Sequence, residues 1–295
     1  MEHLIRVADE VQAALSEERP VVALETTLVT HGLPHPQGVE AALMLEADVR
    51  EGGAVPATIG VLDGRVRVGL DREELARFDA SARKVGPRDL AAAAVQHVVG
   101  ATTVGGTLAV CRVAGITVMA TGGLGGVHRG WTEHPDVSSD LGELARTRSL
   151  VVSAGIKSLL DVPATLELLE TLAVPVLGFR TDELPLFYSA RGGPTLTIRV
   201  ESADEAAAVA RAHWDLGGGG LLLARPPDES LDDVEPLIEE ALTEARERDV
   251  TGQAVTPFVL SFLHERSGGR TLAANRALVA ANAQLAAEVA VALAR

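Results

Sequence analysis

Two lysines, Lys84 and Lys157, stand against 24 arginines in this 295-residue chain. Arginine stays protonated and cannot act as an amine nucleophile, whereas a desolvated lysine can lose its proton and attack a carbonyl. Lys157 follows LVVSAGI, an apolar, β-like run ending in small residues, and precedes SLLD. An ammonium there is either paired or pushed toward the neutral amine by burial. Glu25 interrupts a second apolar run, PVVALETTLV, where burial is again expected. Its carboxyl group must be hydrogen-bonded or have a raised pKa, which would make it a proton donor at neutral pH. The alternative is a structural glutamate closing the strand.

Two further stretches place polar residues at suggestive spacings. TGGLGGVHRG (121–130) is a glycine-rich turn straight after the strand-like ITVMA. Its backbone can approach an anion closely, and His128 and Arg129 can add positive charge. It lacks the G-x-G-x-x-G spacing of dinucleotide-binding turns. HPDVSSDLGEL then sets Asp136 and Asp140 at i and i+4 on one side of a helix N-terminal turn, with Ser138 and Ser139 between them. Such carboxylates can hold a divalent cation through oxygen ligands and water, or serve with the serines as ordinary N-caps. Thr26, Thr27, His31 and His35 lie beside Glu25, and each histidine alone is more often structural than catalytic. Lys84 sits in KVGPRDL, between two helical segments. Cys111, in the apolar TLAVCRVAGI, reads as a small core residue. The run GGGG (217–220) reads as tight packing or a turn.

The elements that must position these residues alternate. Residues 4–18 read as a helix, 20–29 as a buried strand and 35–53 as a helix with a Gly-Gly stop. PATIGVLDGRVRVGL (56–70) holds DGR between two β-branched runs, a hairpin signal. ATTVGG, ITVMATGG, LVVSAG, PVLGF, TLTIRV and GGLLLA are short apolar runs with small residues at or near their ends. Helices fit between most of them, at 105–114, 138–147, 157–171 and 203–215. The C-terminal part is helical in pattern, with TPF (256–258) starting one helix and 271–294 forming a long Ala-rich one. This alternation predicts an α/β fold, a layered α/β/α arrangement with a mostly parallel central sheet, as a single domain over residues 1–295. The hairpin and residues 181–194 could form a small subsidiary lobe. Ligands of such folds sit beyond the C-terminal strand ends, where the polar residues of this chain cluster.

Composition excludes several classes. At 47% hydrophobic the chain is expected to bury a sizeable core, and with 3% aromatics that core is Ala, Val and Leu. A net charge of −15 argues against binding a nucleic-acid backbone, so a nucleotide-like ligand must be small and held in a locally positive pocket. One cysteine excludes an internal disulfide framework. The opening MEHLIRVADEVQ has no apolar signal core, and no long uncharged apolar span suggests a membrane helix. A cytoplasmic protein is expected.

Taken in order, VALETTLVTHGLPHPQ, PATIGVLDG, KVGPRDL, MATGGLGGVHRG, DVSSDLGEL, SAGIKSLLD and TPF resemble the pseudouridine-5′-phosphate glycosidase family, also called the indigoidine synthase A-like family. The resemblance runs from residue 20 to beyond residue 280. It implies reversible cleavage of the C–C glycosidic bond of pseudouridine 5′-phosphate to uracil and ribose 5-phosphate, with a divalent metal, typically manganese, one per subunit. It implies Lys157 as the nucleophile forming a Schiff base with C1′ of the ring-opened sugar, and Glu25 as proton donor. Lys84 and Val104 match substrate contacts, Asp136 the metal ligand, and Ser138, Ser139 and Asp140 the substrate-binding stretch that follows; His128 joins the substrate-binding set. A homotrimer working beside a pseudouridine kinase is also implied. The chain departs from the family pattern at Thr26 and Ser139, which keep a hydroxyl or a small side chain, and at Arg225, where the family tends to have Asn.

This chemistry agrees with the residues. A C-glycosidic bond offers no leaving oxygen to protonate, so the usual pair of carboxylates is insufficient. An imine provides an electron sink beside the bond, and an acid supplies the proton that uracil needs. A Schiff-base aldolase acting on a phosphosugar uses the same lysine logic, and a non-catalytic phosphosugar-binding protein is a third reading. Borohydride trapping separates the enzymes from the binder, and uracil release separates the two enzymes.

Overall fold

The structure, a computed structural model, describes residues 4–32, 37–231 and 233–295. The chain runs through β1 (Ile5–Val7), α1 (Asp9–Ser16), β2 (Val21–Glu25), a π-helical turn (Leu28–Gly32), α2 (Gln37–Glu51), β3 (Val55–Leu62), β4 (Arg65–Val68), α3 (Arg72–Leu75), β5 (Arg83–Val85) and α4 (Leu90–Val95). It continues through β6 (Gly100–Thr102), α5 (Val104–Ala114), β7 (Val118–Ala120), α6 (Ser139–Arg146), β8 (Leu150–Ser153), α7 (Val162–Thr171), β9 (Val176–Phe179), β10 (Ile198–Val200), α8 (Ala203–Asp215) and β11 (Leu221–Ala224). The last elements are α9 (Glu235–Glu247), a 3-10 turn (Gly252–Ala254), α10 (Val255–Arg266) and α11 (Arg270–Leu293).

Every residue of β2, β3, β7, β8 and β11 is buried, as strands covered on both faces by helices must be. Among the described residues these strands belong to one sheet in the order β1-β4-β3-β2-β7-β8-β11-β9-β10, with β6 added to β3 and β5 to β6. All pairings are parallel except β3 with β4 and β3 with β6. The expected mostly parallel α/β sheet is therefore present. Helix α11 is long and apolar enough to span a bilayer by length and composition, yet 56% of its apolar window is buried. It packs across β2, β7 and β8 between α2 and α8, so its apolarity serves the core.

The hairpin forms as DGR suggested, with Asp63 and Gly64 both at positive φ, 52° and 76°, as a two-residue turn of this hand requires. It is part of the sheet. Beyond Ile59, β3 leaves its parallel partner β2 and pairs antiparallel with β4 and β6. A second small core of Leu62, Leu70, Leu75, Phe78 and Ala101 fills this end. Residues 181–194 do not join it; they lie across the sheet, where Leu186 bridges Gly155 after β8.

Three local expectations are corrected. Residues 4–18 are a strand followed by a helix, because Ile5–Val7 completes the open edge of β4. Lys84 lies in strand β5, paired with β6, and not in a link between helices. Lys157 precedes its helix: α7 begins only at Val162, where Asp161 caps it by accepting from the Ala164 amide at 3.0 Å.

Candidate active site

Adjacent parallel strands bring distant residues together. Strands β2, β7 and β8 are neighbours, so Glu25 at the end of β2, Thr121 just past β7 and Lys157 in the loop after β8 are brought together beyond the C-terminal ends of these central strands. Two loops run side by side there. The Leu124 amide donates to the Gly155 carbonyl at 3.0 Å, and the Lys157 amide to the Leu124 carbonyl at 3.2 Å. Gly155 makes this possible. Its φ is +80°, and a Cβ would collide with the Pro185 carbonyl oxygen.

Glu25 is buried, 9% exposed, and accepts a hydrogen bond from the Thr121 hydroxyl. Burial pushes its carboxyl above the usual range, and the opposing charge of Lys157 and the Thr121 hydroxyl only partly offset that. Behind it a buried hydroxyl cluster fixes the strand end: Thr26 donates to the Ile59 carbonyl at 2.8 Å and accepts from the Thr102 amide at 2.9 Å. Thr26 thus has a structural task that any hydroxyl residue could perform.

A cavity of about 640 Å³ opens from Glu25 and Lys157. Its walls contain the nine residues to which the family resemblance gives a role: Glu25, Lys84, Val104, His128, Asp136, Ser138, Ser139, Asp140 and Lys157. Lys84 enters from β5, partly buried, and its Nζ donates to the Gln253 carbonyl at 3.3 Å. Burial, and then the charge of Lys157, lower its pKa. Val104 begins α5, which Thr103 caps, and Ser138 caps α6. Two helix N-termini therefore open on the same space. Arg129 leaves it: this guanidinium binds the Ser158 carbonyl at 2.6 Å and pairs with Glu235 and Glu239. Arg225 also stays outside the cavity walls, folded onto Asp228 and the Pro226 carbonyl. His31 closes the π-helical turn and joins Glu25 and Lys157 around a small adjoining pocket, while His35 lies outside the described residues.

The two aspartates differ in their surroundings. Asp140 is 4% exposed and spends both oxygens on backbone amides, Gly105 at 2.7 Å and Gly125 at 3.1 Å. It ties the start of α5 to the glycine-rich turn. Asp136 is partly exposed, and its carboxylate faces His128 Nδ1 at 3.7 Å. Burial lowers the pKa of His128 more than Asp136 raises it, favouring a neutral ring. Among the described residues no three His, Cys, Asp or Glu side chains converge on a metal position. The donor set fits a hydrated divalent ion anchored by Asp136 alone, and does not fit a cage built on the Asp136/Asp140 pair.

Sequence reasoning missed Thr121, whose only signal was a hydroxyl residue opening the glycine-rich run. It also missed Arg88 and Gln253 in the cavity wall, where Thr27 stands as well; Thr256, beside them, belongs to the TPF motif.

Fold and cavity together define an α/β enzyme working at the C-terminal ends of a parallel sheet. The chain belongs to the indigoidine synthase A like protein family, which matches residues 10–292. It is 51% identical over 294 residues to the pseudouridine-5′-phosphate glycosidase of Herpetosiphon aurantiacus, covering 97% of both chains. It is 48% identical to that of Caldanaerobacter subterraneus subsp. tengcongensis, covering 99% of this chain and 98% of the relative. The crystal structure of the prealnumycin C-glycosynthase AlnA in complex with ribulose 5-phosphate superposes with a TM-score of 0.89 at 41% identity, covering 99% of this chain and 97% of that one. An indigoidine synthase A-like protein from Thermotoga maritima gives the same TM-score at 39% identity with the same coverage.

Removing the Asp140 carboxylate leaves two buried amides without an acceptor. Asp140→Ala is expected to lower the unfolding free energy by about 3 kcal/mol, read by urea denaturation. A change below about 0.5 kcal/mol would show that the tie between α5 and the glycine-rich turn is dispensable.

Proposed function

We propose that this chain cleaves, reversibly, the C–C glycosidic bond of pseudouridine 5′-phosphate, giving uracil and ribose 5-phosphate through a Schiff base on Lys157. The observation that carries this reading is that Lys157 and the buried Glu25 line one cavity, close enough for the Lys157 charge to act on the carboxyl. Relatives named pseudouridine-5′-phosphate glycosidase across nearly the whole length support it, as does the pentulose phosphate bound by AlnA. That AlnA is a C-glycosynthase fits a scaffold able to run C–C glycosidic chemistry in the forming direction as well.

In the cleavage direction Lys157 Nζ replaces the ring oxygen at C1′, and that oxygen takes a proton as the sugar opens. The nitrogen lone pair then forms the C1′=N bond while the C1′–C5 bond breaks. Its electron pair goes to C5 of uracil, where Glu25 delivers the proton. Water hydrolyses the imine, frees ribose 5-phosphate and restores the amine. Burial raises the Glu25 pKa, the direction an acid working near neutral pH needs. Lys157→Arg is expected to fold and to retain less than about a hundredth of the wild-type rate of uracil release. Borohydride with ribose 5-phosphate should modify the wild type and spare the variant. Trapping in the variant would instead make Lys84 the nucleophile.

Lys84 and the N-termini of α5 and α6, with Val104, Ser138 and Ser139, form the phosphate and sugar grip in this reading, and His128 adds a neutral hydrogen-bonding ring. Lys84→Ala should cost about 2 kcal/mol in kcat/KM for the phosphorylated substrate and far less for unphosphorylated pseudouridine. Equal losses on both would place Lys84 against the ring-opened sugar or the base.

A divalent cation such as manganese, one per subunit, is proposed at Asp136. When bound, it supplies positive charge that orders water and substrate oxygens. Asp136→Ala should weaken manganese binding by isothermal titration while the protein stays folded; identical binding curves would remove Asp136 as the ligand. A homotrimer, a pseudouridine kinase supplying the substrate, and a cytoplasmic setting are proposed on the family resemblance, and sedimentation equilibrium checks the first.

A further inference from the structure

Thr121 is held from three directions at the end of β7. Its amide donates to the Val152 carbonyl of β8 at 3.0 Å. Its carbonyl accepts from Asn282 Nδ2 on α11 at 2.8 Å, and the same nitrogen lies 3.5 Å from the Gly122 carbonyl. Its hydroxyl donates to Glu25 Oε1. Thr121 is 4% exposed and Asn282 is wholly buried. A buried asparagine in the middle of an apolar helix carries a desolvation cost that only such hydrogen bonds offset. With backbone and carbonyl both anchored, the hydroxyl points where the main chain aims it.

We propose that Thr121 is a positioning residue for the proton donor: anchored by Asn282, it engages Oε1 of Glu25, leaves Oε2 as the oxygen that carries the proton toward the substrate, and sets the pH at which that proton is lost. The inference rests on Glu25 being the acid. A hydrogen bond donated to a carboxylate favours the ionised form. The hydroxyl thus works with Lys157 against burial, which raises the carboxyl pKa. The other charged groups facing Glu25 are Asp140 of α6, which raises it, and Lys84 of β5, which lowers it, and His31 stands in the adjoining pocket.

Glu25 acts only while protonated, so activity falls as pH rises through its folded-state pKa. Loss of the Thr121 hydroxyl stabilises the protonated form, and the fall moves to higher pH. The experiment is the pH profile of kcat/KM for uracil release in wild type, Thr121→Val, Thr121→Ser and Glu25→Gln. Thr121→Val is expected to lower the rate about tenfold and to move the alkaline limb up by about one pH unit, the size of one hydrogen bond to a charged group. Thr121→Ser should keep the limb within about 0.3 unit of wild type, since the hydroxyl remains. Thr121→Ala substitutes for the valine variant if that fails to fold, with the same expected shift. A slower Thr121→Val enzyme with an unmoved limb overturns the inference, and the limb would then belong to another group such as Lys84. Equal profiles for the serine and valine variants overturn it as well. Glu25→Gln separates the two levels: an inactive Glu25→Gln enzyme beside an unmoved limb removes only the role of Thr121. An active Glu25→Gln enzyme with a wild-type limb removes the acid assignment and this inference with it.

Discussion

The site depends on keeping a carboxyl group and an amine together in a place where water is scarce. Burying either alone is costly, and each reduces the cost of the other by Coulomb attraction at short range. In this sheet the balance is incomplete: burial still outweighs the Lys157 charge and the Thr121 hydroxyl at Glu25. The Glu25 carboxyl therefore stays above the usual carboxylate range, with burial as the dominant cause. An apolar Ala, Val and Leu core around β2, β7 and β8 creates that condition, and the parallel order of the three strands makes the two groups neighbours.

Polar satisfaction holds the surrounding loops in register. Asp140 joins α5 to the glycine-rich turn through two amides, and Asn282 joins α11 to the same turn through the carbonyls of Thr121 and Gly122. The glycines of the turn are required by approach. A Cβ on Gly125 would strike the Asp140 carboxylate and the Ser138 hydroxyl, and one on Gly126 would strike Thr165. The turn is therefore less a bare anion cradle than a tightly packed wall, kept thin so that Asp140 can reach across it.

Charge is distributed to suit an anionic ligand on an acidic protein. A net charge of −15 repels a phosphosugar at long range, so capture falls to local features: Lys84, Lys157 and two helix N-termini around one cavity. Arg88 and Arg146 also stand in the cavity wall, whereas two other arginines are engaged outside it. Arg129 is tied to α9 and to the Lys157 loop, and Arg225 to Asp228. The Lys157 amine and the buried Glu25 carboxyl line the same cavity as the partly exposed Asp136, whose carboxylate faces His128.

The roles open to Glu25 and Lys157 were legible from the sequence because rarity and interruption of an apolar run are local properties. The helix start at Ser138, the Asp63–Gly64 turn and the alternation of strands and helices were equally readable from capping and turn chemistry, whereas the helix expected from residue 157 begins only after Asp161. Tertiary structure decided the rest. Ile5–Val7 and Arg83–Val85 are too short to declare themselves as strands and became so by completing edges of β4 and β6. The i, i+4 spacing of Asp136 and Asp140 suggested a shared ligand, yet two amides from distant segments claimed Asp140. Thr121 gave no sign of its partner, since a hydroxyl's hydrogen bond depends on what lies across from it. Local sequence sets backbone preference and burial; which buried groups meet is settled by packing summed over the whole sheet.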